Sequence, residues 1–465
     1  MFRTWLPSVP IITSLLKEKY DFSIIDANVN EWDFDQTVEA LCNSRADIVL
    51  ISALSIDYQI QYHKLAELAK IALPNCITFM GGIYPSSVPD QVMDDINIDF
   101  IMQGYAEERL VPTLEAVMRN DYDFLSKEEG VGYRIGKERH LIPFGKFLSD
   151  CKTIVRPDYS LIDVEKYFKL QEGYYARNYS TECAEKRSIN IIASYGCPYN
   201  CFFCANKSLS GSRIVYRPID DVLDEISYFV ENYNIKQVSF MDDNIVANKA
   251  RAKYLFKELI RRDYGLEIQI GNLAAWDLDD EILSLLKKAG CTRIGISVES
   301  GSQEVLYKIM HKPLNLKIIP PLVQKFKKYG IMLIADFIVG LPGETWENIR
   351  TSFSYAEKMD ADLCNINIAV PYPGTEMYKY MMDNEMLPKD FKFDESFFIN
   401  GLVKTPEFSP AELKILVAFE WERINAGTPE KRERAKKVLR LTDIELDTYC
   451  KEMRQGAIRF AKKYS

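Results

Sequence analysis

The sequence SINIIASYGCPYNCFFC, residues 188–204, decides the fold of the larger part of this chain. Its apolar, β-branched run at residues 189–193 predicts a buried strand. Three cysteines, Cys197, Cys201 and Cys204, follow within eight residues on the loop after that strand. Thiolates at this spacing suit three corners of an iron–sulfur cube, which leaves the fourth iron for a chelating small molecule.

A zinc site is the alternative for the same thiols, because Cys183 lies upstream and would complete a set of four. Zinc ribbons usually pair two short Cys-x2-Cys knuckles, whereas here three thiols share one loop and the fourth is distant. The spacing therefore favours the iron–sulfur interpretation. All other cysteines are expected to be buried small apolar residues: Cys42, Cys76, Cys151, Cys183, Cys291, Cys364 and Cys450.

Alternating strands and helices continue outward from this loop. The strand candidates are residues 189–193, 237–241, 267–271, 293–298, 332–339 and 363–369, with helices predicted at 220–231, 279–289 and 348–359. This rhythm predicts a (β/α)6 partial TIM barrel over residues 188–385, with the active site at the carboxyl ends of the strands. Residues 386–465 are predicted to be a small, mainly helical C-terminal region, in which residues 431–440 (KRERAKKVLR) form a solvated charged face.

Residues 1–125 have a similar alternation and predict a doubly wound, Rossmann-like α/β domain. The strand candidates there are residues 22–26, 47–54, 76–80 and 100–103. The last two end at glycine, at Gly81-Gly82 and at Gly104. Loops after strand ends form the ligand crevice of such sheets, and glycine lets a ligand approach the backbone. Residues 126–187 are predicted to be a linker that contains a hairpin around Gly136.

Composition narrows the class of protein. The 465 residues carry 58 Lys and Arg against 67 Asp and Glu, and the net charge of −9 argues against a nucleic-acid binder. No run approaches about 18 apolar residues, so no membrane span is expected. Ten cysteines are too sparse for a disulfide scaffold, and no export signal is seen, so the protein is expected in the cytoplasm.

The motif C-x3-C-x2-C, with Phe203 before its last cysteine, resembles the signature of the radical S-adenosylmethionine (SAM) enzymes. Four further motifs resemble that superfamily in order along the barrel: Met241-Asp242-Asp243-Asn244, Gly295-Ile-Ser-Val-Glu299-Ser-Gly301, Asp336-Phe-Ile-Val-Gly340-Leu-Pro-Gly343-Glu344-Thr345 and Pro371-Tyr-Pro373-Gly374-Thr375. The resemblance implies a [4Fe–4S] cluster on the three cysteines, which are then catalytic. It also implies SAM contacts by Phe203, Asp242, Asp243, Glu299, Gly340, Pro373 and Gly374. Capping of the following helix is the alternative role for Asp242 and Asp243.

The N-terminal domain resembles the cobalamin-binding domain of one large radical SAM class. The resemblance is carried by Ile24-Ile25-Asp26-Ala27-Asn28, by Gly81-Gly82-Ile83-Tyr84-Pro85 and by Gly104-Tyr105-Ala106-Glu107-Glu108. It implies that Gly81, Gly82 and Gly104 contact cobalamin. The DxHxxG sequence that supplies a histidine ligand elsewhere is absent, and His63 is expected on a helix face.

One strand of that domain is expected to be missing. Such domains open with a hydrophobic strand, but this sequence begins within or just before the first helix, and the missing strand would be central in a 2-1-3-4-5 sheet. Three explanations are open: a cobalamin site on a reduced sheet, a degenerate structural domain, or a sequence that starts too late. A second departure is Tyr195, where many relatives have arginine.

The resemblance implies cobalamin-dependent methyl transfer to an unactivated centre of a small-molecule or natural-product intermediate. A flavodoxin or ferredoxin would supply electrons. The first alternative is a dehydratase, epimerase or cyclase of the same superfamily that works without cobalamin. The alternative from another class is a zinc-stabilised binding protein whose basic C-terminal helix meets nucleic acid.

Overall fold

The computed structural model describes residues 8–145, 147–148, 154–174, 187–387, 391 and 403–464. The described residues up to position 171, together with residues 205–215, form one compact unit. The other described residues form a second unit. Each unit has its own sheet and core.

The first unit is built on a five-stranded sheet with the order β1-β2-β3-β4-β5. Its strands are β1 (Ile48–Ser52), β2 (Ile77–Gly81), β3 (Phe100–Met102), β4 (Val131–Ile135) and β5 (Glu138–Leu141). The first three strands pair in parallel, and β4 and β5 add an antiparallel hairpin. The helices are α1 (Ser8–Leu16), α2 (Phe34–Ser44), α3 (Gln59–Ala72), α4 (Ile83–Ser87), α5 (Pro89–Met93), α6 (Leu110–Arg119), α7 (Tyr122–Leu125), α8 (Val164–Tyr174) and α9 (Asn206–Ser210).

The hairpin predicted around Gly136 is present, but it belongs to a sheet and not to a linker between domains. Tyr133 of β4 pairs with Phe100 of β3, so the hairpin extends the sheet of the first unit. The core between this sheet and its helices contains Phe79, Phe100 and Leu114. A large share of the predicted linker is therefore part of the first unit.

The strand predicted at residues 22–26 is wrong, because these residues have no strand partner. In a doubly wound sheet their neighbour would be the first strand, and the described residues contain no strand before Ile48. Ile25 instead packs against the apolar cluster that contains Leu41 and Leu68. The carboxylate of Asp26 accepts hydrogen bonds from the Val29 amide, 2.9 Å away, and the Tyr167 hydroxyl, 2.6 Å away.

His63 lies on the face of helix α3, as predicted, and both of its ring nitrogens have hydrogen-bond partners. Its Nδ1 lies 2.7 Å from Oδ2 of Asp95, and its Nε2 lies 2.8 Å from the hydroxyl of Tyr84. Tyr84 is fully buried, and burial raises the pKa of its hydroxyl. The Tyr84 hydroxyl also donates to Oε1 of Gln59, 3.3 Å away. This chain of polar groups ties α3 to α4 and to the loop after α5.

His63→Leu is expected to destabilise the first unit by about 1 to 3 kcal/mol, because it leaves the Asp95 carboxylate and the Tyr84 hydroxyl without their shared partner. Urea unfolding followed by circular dichroism measures this loss. Ile60→Ala is the control, since Ile60 lies on the same helix and is 53% exposed. Equal stabilities of the two variants would contradict a structural role for this network.

The second unit contains a six-stranded parallel sheet with the order β13-β12-β11-β10-β9-β6. Its strands are β6 (Ser188–Ile191), β9 (Gln237–Phe240), β10 (Glu267–Leu273), β11 (Cys291–Glu299), β12 (Met332–Val339) and β13 (Leu363–Ile368). Two short strands, β7 (Ser194–Tyr195) and β8 (Val215–Tyr216), form a separate ladder. The helices are α10 (Ile219–Tyr233), α11 (Lys249–Arg262), α12 (Asp280–Lys288), α13 (Ile319–Tyr329), α14 (Trp346–Met359) and α15 (Glu376–Asp383). All six predicted strands of the partial barrel are confirmed.

Three C-terminal helices complete the second unit: α16 (Pro410–Ala426), α17 (Pro429–Leu439) and α18 (Asp443–Tyr464). They pack on the last two strands of the barrel, where Trp421 and Leu446 join Ile334 and Leu363 in one core. The charged face of α17 pairs within this unit, as Arg434 does with Asp360 at 2.6 Å. Among the described residues, no helix is both long and apolar enough to cross a bilayer.

The buried cysteines agree with the sequence prediction, with one exception. Cys76, Cys291, Cys364 and Cys450 are buried. Cys42 is exposed because it lies near the end of α2, so its predicted burial is wrong. Cys151 and Cys183 lie outside the described residues.

Candidate active site

The loop that carries the three cysteines is held by backbone hydrogen bonds on both sides. The amide of Phe202 donates to the carbonyl of Met310, 3.0 Å away. The carbonyl of Phe202 accepts from the amide of Met377, in the first turn of α15, also 3.0 Å away. A tight turn within the loop is closed by the Cys204 amide and the Cys201 carbonyl. These bonds place the thiols in the loop after β7, beside the segments that begin near Met310 and Met377.

The thiols of this loop are close together and half-buried. The pKa values of Cys197 and Cys201 are both raised to about 11, mainly by burial and to a smaller extent by the charges of neighbouring thiolates. Bound iron stabilises thiolates and removes this penalty.

The arrangement of the three thiols bears on whether the loop would bind a single zinc ion or an iron–sulfur cube. In the described part of the chain, no three His, Cys, Asp or Glu side chains surround one point closely enough for a single ion. A zinc ion needs every sulfur ligand about 2.3 Å away, whereas a cube receives each thiolate at a different iron. The chemistry of the donor set, three partly buried thiols on one loop, is that of the ligands of such a cube.

Glu299 and Lys312 form a buried ion pair beside these cysteines. Oε1 of Glu299 lies 3.2 Å from Nζ of Lys312, and both side chains are less than one-tenth exposed. The charge of Lys312 lowers the pKa of the Cys201 thiol, and the charge of Glu299 raises it. Glu299 has a left-handed backbone with φ of 68°, next to a register shift between β11 and β12. Strained backbone at a buried charge is typical of functional sites.

Lys312 is a site residue that the sequence reasoning missed. It follows a π-helical turn, Val305–Ile309, and the left-handed residue His311, which together turn the lysine inward. Its ammonium lies 5.4 Å from the ring centroid of Trp276, a favourable cation–π distance. No local sequence signal identifies Lys312, since its neighbours in sequence, His311 and Pro313, are exposed.

Trp276 connects this pair to the cysteine loop. Its indole Nε1 donates to the hydroxyl of Tyr199, 2.7 Å away, which lies between Cys197 and Cys201 in sequence. The Tyr199 hydroxyl donates to Asp277 at 3.3 Å, and the Asn244 amide donates to the same carboxylate at 2.7 Å. Of this network, Tyr199 and Asn244 lie in motifs that the sequence indicates, whereas Trp276 and Asp277 do not.

The structure assigns different surroundings to Asp242 and Asp243. Asp242 is buried, and its carboxylate accepts from the Ala193 amide at 3.0 Å and the Ser194 hydroxyl at 2.5 Å. Burial raises the pKa of Asp242 to about 6. Asp243 is exposed and accepts from the Gly196 amide, 3.2 Å away, next to Cys197. Neither caps the following helix, since Asn248 does so, and Asp243 is the one that faces outward beside the cysteines.

Gly340 and Gly374, the glycines of the later motifs, differ in their surroundings. Gly340 has φ of 87°, and an added Cβ would lie 2.6 Å from Cδ1 of Leu413. Its amide donates to Glu344 at 2.7 Å, so Gly340 forms a turn packed by Leu413 rather than an open surface. Gly374 is exposed with φ of 82°, and the buried Pro373 precedes it. Phe203 is half-buried in the cysteine loop.

Asp336 is a half-buried residue, and the pKa of its carboxyl is raised to about 6, mainly by burial and also by the charge of Glu299. A carboxyl with a raised folded-state pKa costs stability once it ionises. The cost grows as the pH rises from about 4 to 6 and is constant above.

We therefore expect Asp336→Asn to stabilise the protein by about 2 to 3 kcal/mol at pH 8 and by almost nothing at pH 4. The bond from the Asn365 amide, 2.8 Å long, is kept by the new carbonyl oxygen. Urea unfolding at both pH values measures the difference. An equal gain in stability at the two pH values would contradict a raised pKa for Asp336.

In the first unit, the three predicted glycines lie at the carboxyl ends of β2 and β3. An added Cβ on Gly82 would lie 2.5 Å from the Ala53 carbonyl oxygen, and one on Gly104 would lie 2.3 Å from the Phe144 ring. Only Gly81 has space, since its nearest neighbour would be 3.9 Å away. Packing within the protein therefore accounts for Gly82 and Gly104.

Two polar side-chain atoms on the helices that follow β1 and β2 have no hydrogen-bond partner within the described part of the chain. They are Nε2 of Gln59, at the start of α3, and Oγ of Ser87, at the end of α4, and both residues are buried. Buried polar atoms without partners are uncommon and call for a further polar group. The side-chain amide of Gln59 and the hydroxyl of Ser87 suit hydrogen bonds to the amide groups at the rim of a corrinoid. Gly81, which has no side chain, would let the corrinoid come close to the backbone.

An open (β/α)6 sheet with three thiols in its first loop and a buried ion pair beside them defines a barrel enzyme with an iron–sulfur cluster. Comparisons with known proteins agree with this class. Residues 191–356 match the model of the radical SAM superfamily, and residues 8–112 match that of the B12 binding domain. The chain therefore belongs to the radical SAM superfamily and carries a B12 binding domain ahead of its radical SAM domain. These two domains are those that hold a [4Fe–4S] cluster with SAM and cobalamin, respectively.

Individual relatives are distant but cover most of the chain. An uncharacterized methyltransferase of Pyrococcus horikoshii is 26% identical over 81% of this chain and 78% of its own. Cytidylyl-2-hydroxyethylphosphonate methyltransferase of Streptomyces wedmorensis is 25% identical over 86% of this chain and 79% of its own. The structure of the radical SAM methyltransferase TsrM from Kitasatospora setae, with cobalamin and a [4Fe–4S] cluster bound, has a TM-score of 0.72 at 16% identity and covers 91% of this chain and 86% of that chain.

Proposed function

We propose that this enzyme transfers a methyl group from SAM, through cobalamin, to an unactivated centre of a small molecule. The observation that carries the proposal is the loop of three half-buried thiols beside the ion pair of Glu299 and Lys312. The B12 binding domain and the methyltransferase names of both relatives support the methyl transfer.

Each residue of the site has a role that follows from its chemistry. Cys197, Cys201 and Cys204 hold three irons of the cluster. Lys312 binds the carboxylate of SAM, and Asp243 faces the SAM ammonium or ribose hydroxyls. When bound, the cluster and SAM supply the radical that removes hydrogen from the substrate, and cobalamin carries the methyl group. Glu299 and Trp276 hold the lysine in place.

The remaining predicted contacts complete the proposed cofactor sites. Phe203, Pro373 and Gly374 line the SAM site near the cysteine loop, to which the start of α15 is bonded. Gly81 and its neighbours at the carboxyl edge of the first sheet hold cobalamin. A one-electron donor such as a flavodoxin or ferredoxin reduces the cluster, and the reducing cytoplasm suits both the thiols and the cluster.

Anaerobic reconstitution with iron, sulfide and cobalamin tests this function without knowledge of the substrate. The loaded protein should hold about four irons per chain, release 5′-deoxyadenosine from SAM under dithionite, and convert added cob(I)alamin to methylcobalamin. Stoichiometric zinc without iron would instead support the zinc-binding alternative.

A second candidate function is favoured by the packing of the first unit. Because the protein itself fills the space at Gly82 and Gly104, a radical SAM dehydratase, epimerase or cyclase that works without cobalamin fits the same barrel. Normal 5′-deoxyadenosine release together with neither corrinoid binding nor methylcobalamin would select this second function.

A further inference from the structure

One side of helix α16 faces the barrel, and the first residue on that side is a lysine. Lys414, Ala418, Trp421 and Asn425 follow one another at intervals of four, three and four residues, so they lie on one side of the helix. Ala418, Trp421 and Asn425 are buried. Lys414 is half-buried, and burial lowers the pKa of its ammonium. A cation therefore stands on the packed side of this helix, where an apolar residue is the usual choice.

The contacts of the later residues show which part of the barrel this side covers. Trp421 belongs to the core that contains Ile334 of β12 and Leu363 of β13. The Asn425 side chain accepts from the Cys364 amide at 2.8 Å and donates to the Cys364 carbonyl at 2.9 Å. The packed side of α16 therefore runs along β13, the last strand of the sheet, over the face on which Leu363 lies.

Helix α16 begins at the carboxyl ends of these strands. Leu413 packs against Gly340, directly after β12, since a Cβ added to this glycine would lie 2.6 Å from Cδ1 of Leu413. The helix then runs back along the strands toward Trp421 and the core below it. Lys414 precedes Trp421 by two helical turns and is therefore about 10 Å nearer to the carboxyl ends, where barrel enzymes have their active sites.

Two asparagines of β13 lie at the level of Lys414. Asn365 and Asn367 come two and four residues after Leu363, about 7 and 13 Å further along the strand and on the same face. The Asn365 amide donates to Asp336, 2.8 Å away. Asn365 is half-buried and Asn367 is exposed, so the face of the sheet is open at this level. A small molecule has access to all three polar side chains there.

We propose that Lys414, Asn365 and Asn367 bind an anionic group of the substrate, a carboxylate or a phosphate. We call these three residues the anion site. The inference rests on the proposed function and narrows its substrate to small molecules that carry such a group. Surroundings that disfavour the charge of an ammonium favour an anion beside it, and the asparagine N–H groups donate to the same oxygens. The site is separate from Lys312, which binds the carboxylate of SAM in the proposed function.

Reductive methylation of the reconstituted protein, followed by peptide mass spectrometry, tests the anion site without a known substrate. Only the neutral amine of a lysine reacts, and a bound anion raises the lysine pKa by about one unit or more. Inorganic phosphate or acetate should therefore slow the methylation of Lys414 about tenfold. Lys437 of α17 is the matched control, because it is exposed, and its rate should not change. Sodium chloride at equal ionic strength controls for screening.

The two probes distinguish the sources of the anion. Slowing by phosphate alone supports a phosphate group on the substrate, slowing by acetate alone supports a carboxylate, and slowing by both supports a site that accepts either. The proposal is overturned if neither anion slows methylation, or if Lys437 is slowed equally. Slowing by SAM alone would also overturn it, because Lys414 would then be a ligand of SAM. Absence of SAM cleavage in the unaltered protein would count against the proposed function instead.

Lys414→Met provides a second measurement. The anion that protects Lys414 should raise the melting temperature of the unaltered protein and of Lys437→Met, because it binds only the folded state. This increase should be absent in Lys414→Met and retained in Lys414→Arg, which keeps the charge. An increase that persists in Lys414→Met would overturn the proposal. If Lys414→Met does not fold, the methylation rates of the unaltered protein decide.

Discussion

Cys201→Ala is expected to abolish SAM cleavage while the protein stays folded. The charges of Lys312 and Glu299 act on the Cys201 thiol, and loss of this thiol removes one of the three proposed iron ligands. The loop itself is fixed by the backbone bonds of Phe202 and Cys204, which do not depend on the thiol. Release of 5′-deoxyadenosine by the reconstituted variant should fall to background, and its circular dichroism should match that of the parent.

Cys42→Ala provides the matched control for this experiment. Cys42 is exposed and lies in the first unit, so its removal should leave iron content and SAM cleavage unchanged. Iron content should fall only in Cys201→Ala. Full 5′-deoxyadenosine production by Cys201→Ala would refute the three-thiolate site.

The barrel could be predicted from the sequence because its strands are buried on both faces. Apolar stretches such as residues 332–335 of β12, preceded by glycine and a helical stretch, leave little ambiguity about strand position. The run at residues 22–26 has the same local character but forms no strand. A strand needs a neighbour to satisfy its backbone, and that information is not contained in the run itself.

The candidate site could be predicted only where its residues are close in sequence. The three cysteines share one loop, and their spacing alone indicates their chemistry. Lys312 and Trp276 reach the site from segments far from that loop, and neither carries a local signal. Asp242 and Asp243 illustrate a different limit, because successive side chains at a strand end point in opposite directions. Their spacing did not tell which of them is buried.

The same limit applied to the glycines of the first unit. The sequence correctly predicted these glycines at strand ends. A glycine at such a position leaves space either for a bound ligand or for neighbouring atoms of the protein itself. The carbonyl of Ala53 and the ring of Phe144 occupy the space at Gly82 and Gly104, and only the folded structure contains that information.

Lys312→Met is expected to reduce both stability and SAM cleavage. The methionine retains most of the side-chain volume but leaves Glu299 as a buried charge without its cation, which costs about 3 to 5 kcal/mol. Loss of the ammonium also removes the proposed partner of the SAM carboxylate. A charged hydrogen bond of about 3 kcal/mol corresponds to about a hundredfold loss in SAM cleavage at limiting SAM.

The double variant Glu299→Gln/Lys312→Met separates the two effects. Removal of both charges should restore most of the stability lost in Lys312→Met, because no unpaired ion remains buried. It should not restore SAM cleavage, because the cation for the SAM carboxylate is still absent. Lys312→Arg keeps the positive charge and should retain more SAM cleavage than Lys312→Met or the double variant. If the double variant recovered activity together with stability, Lys312 would be a structural partner of Glu299 and no ligand of SAM.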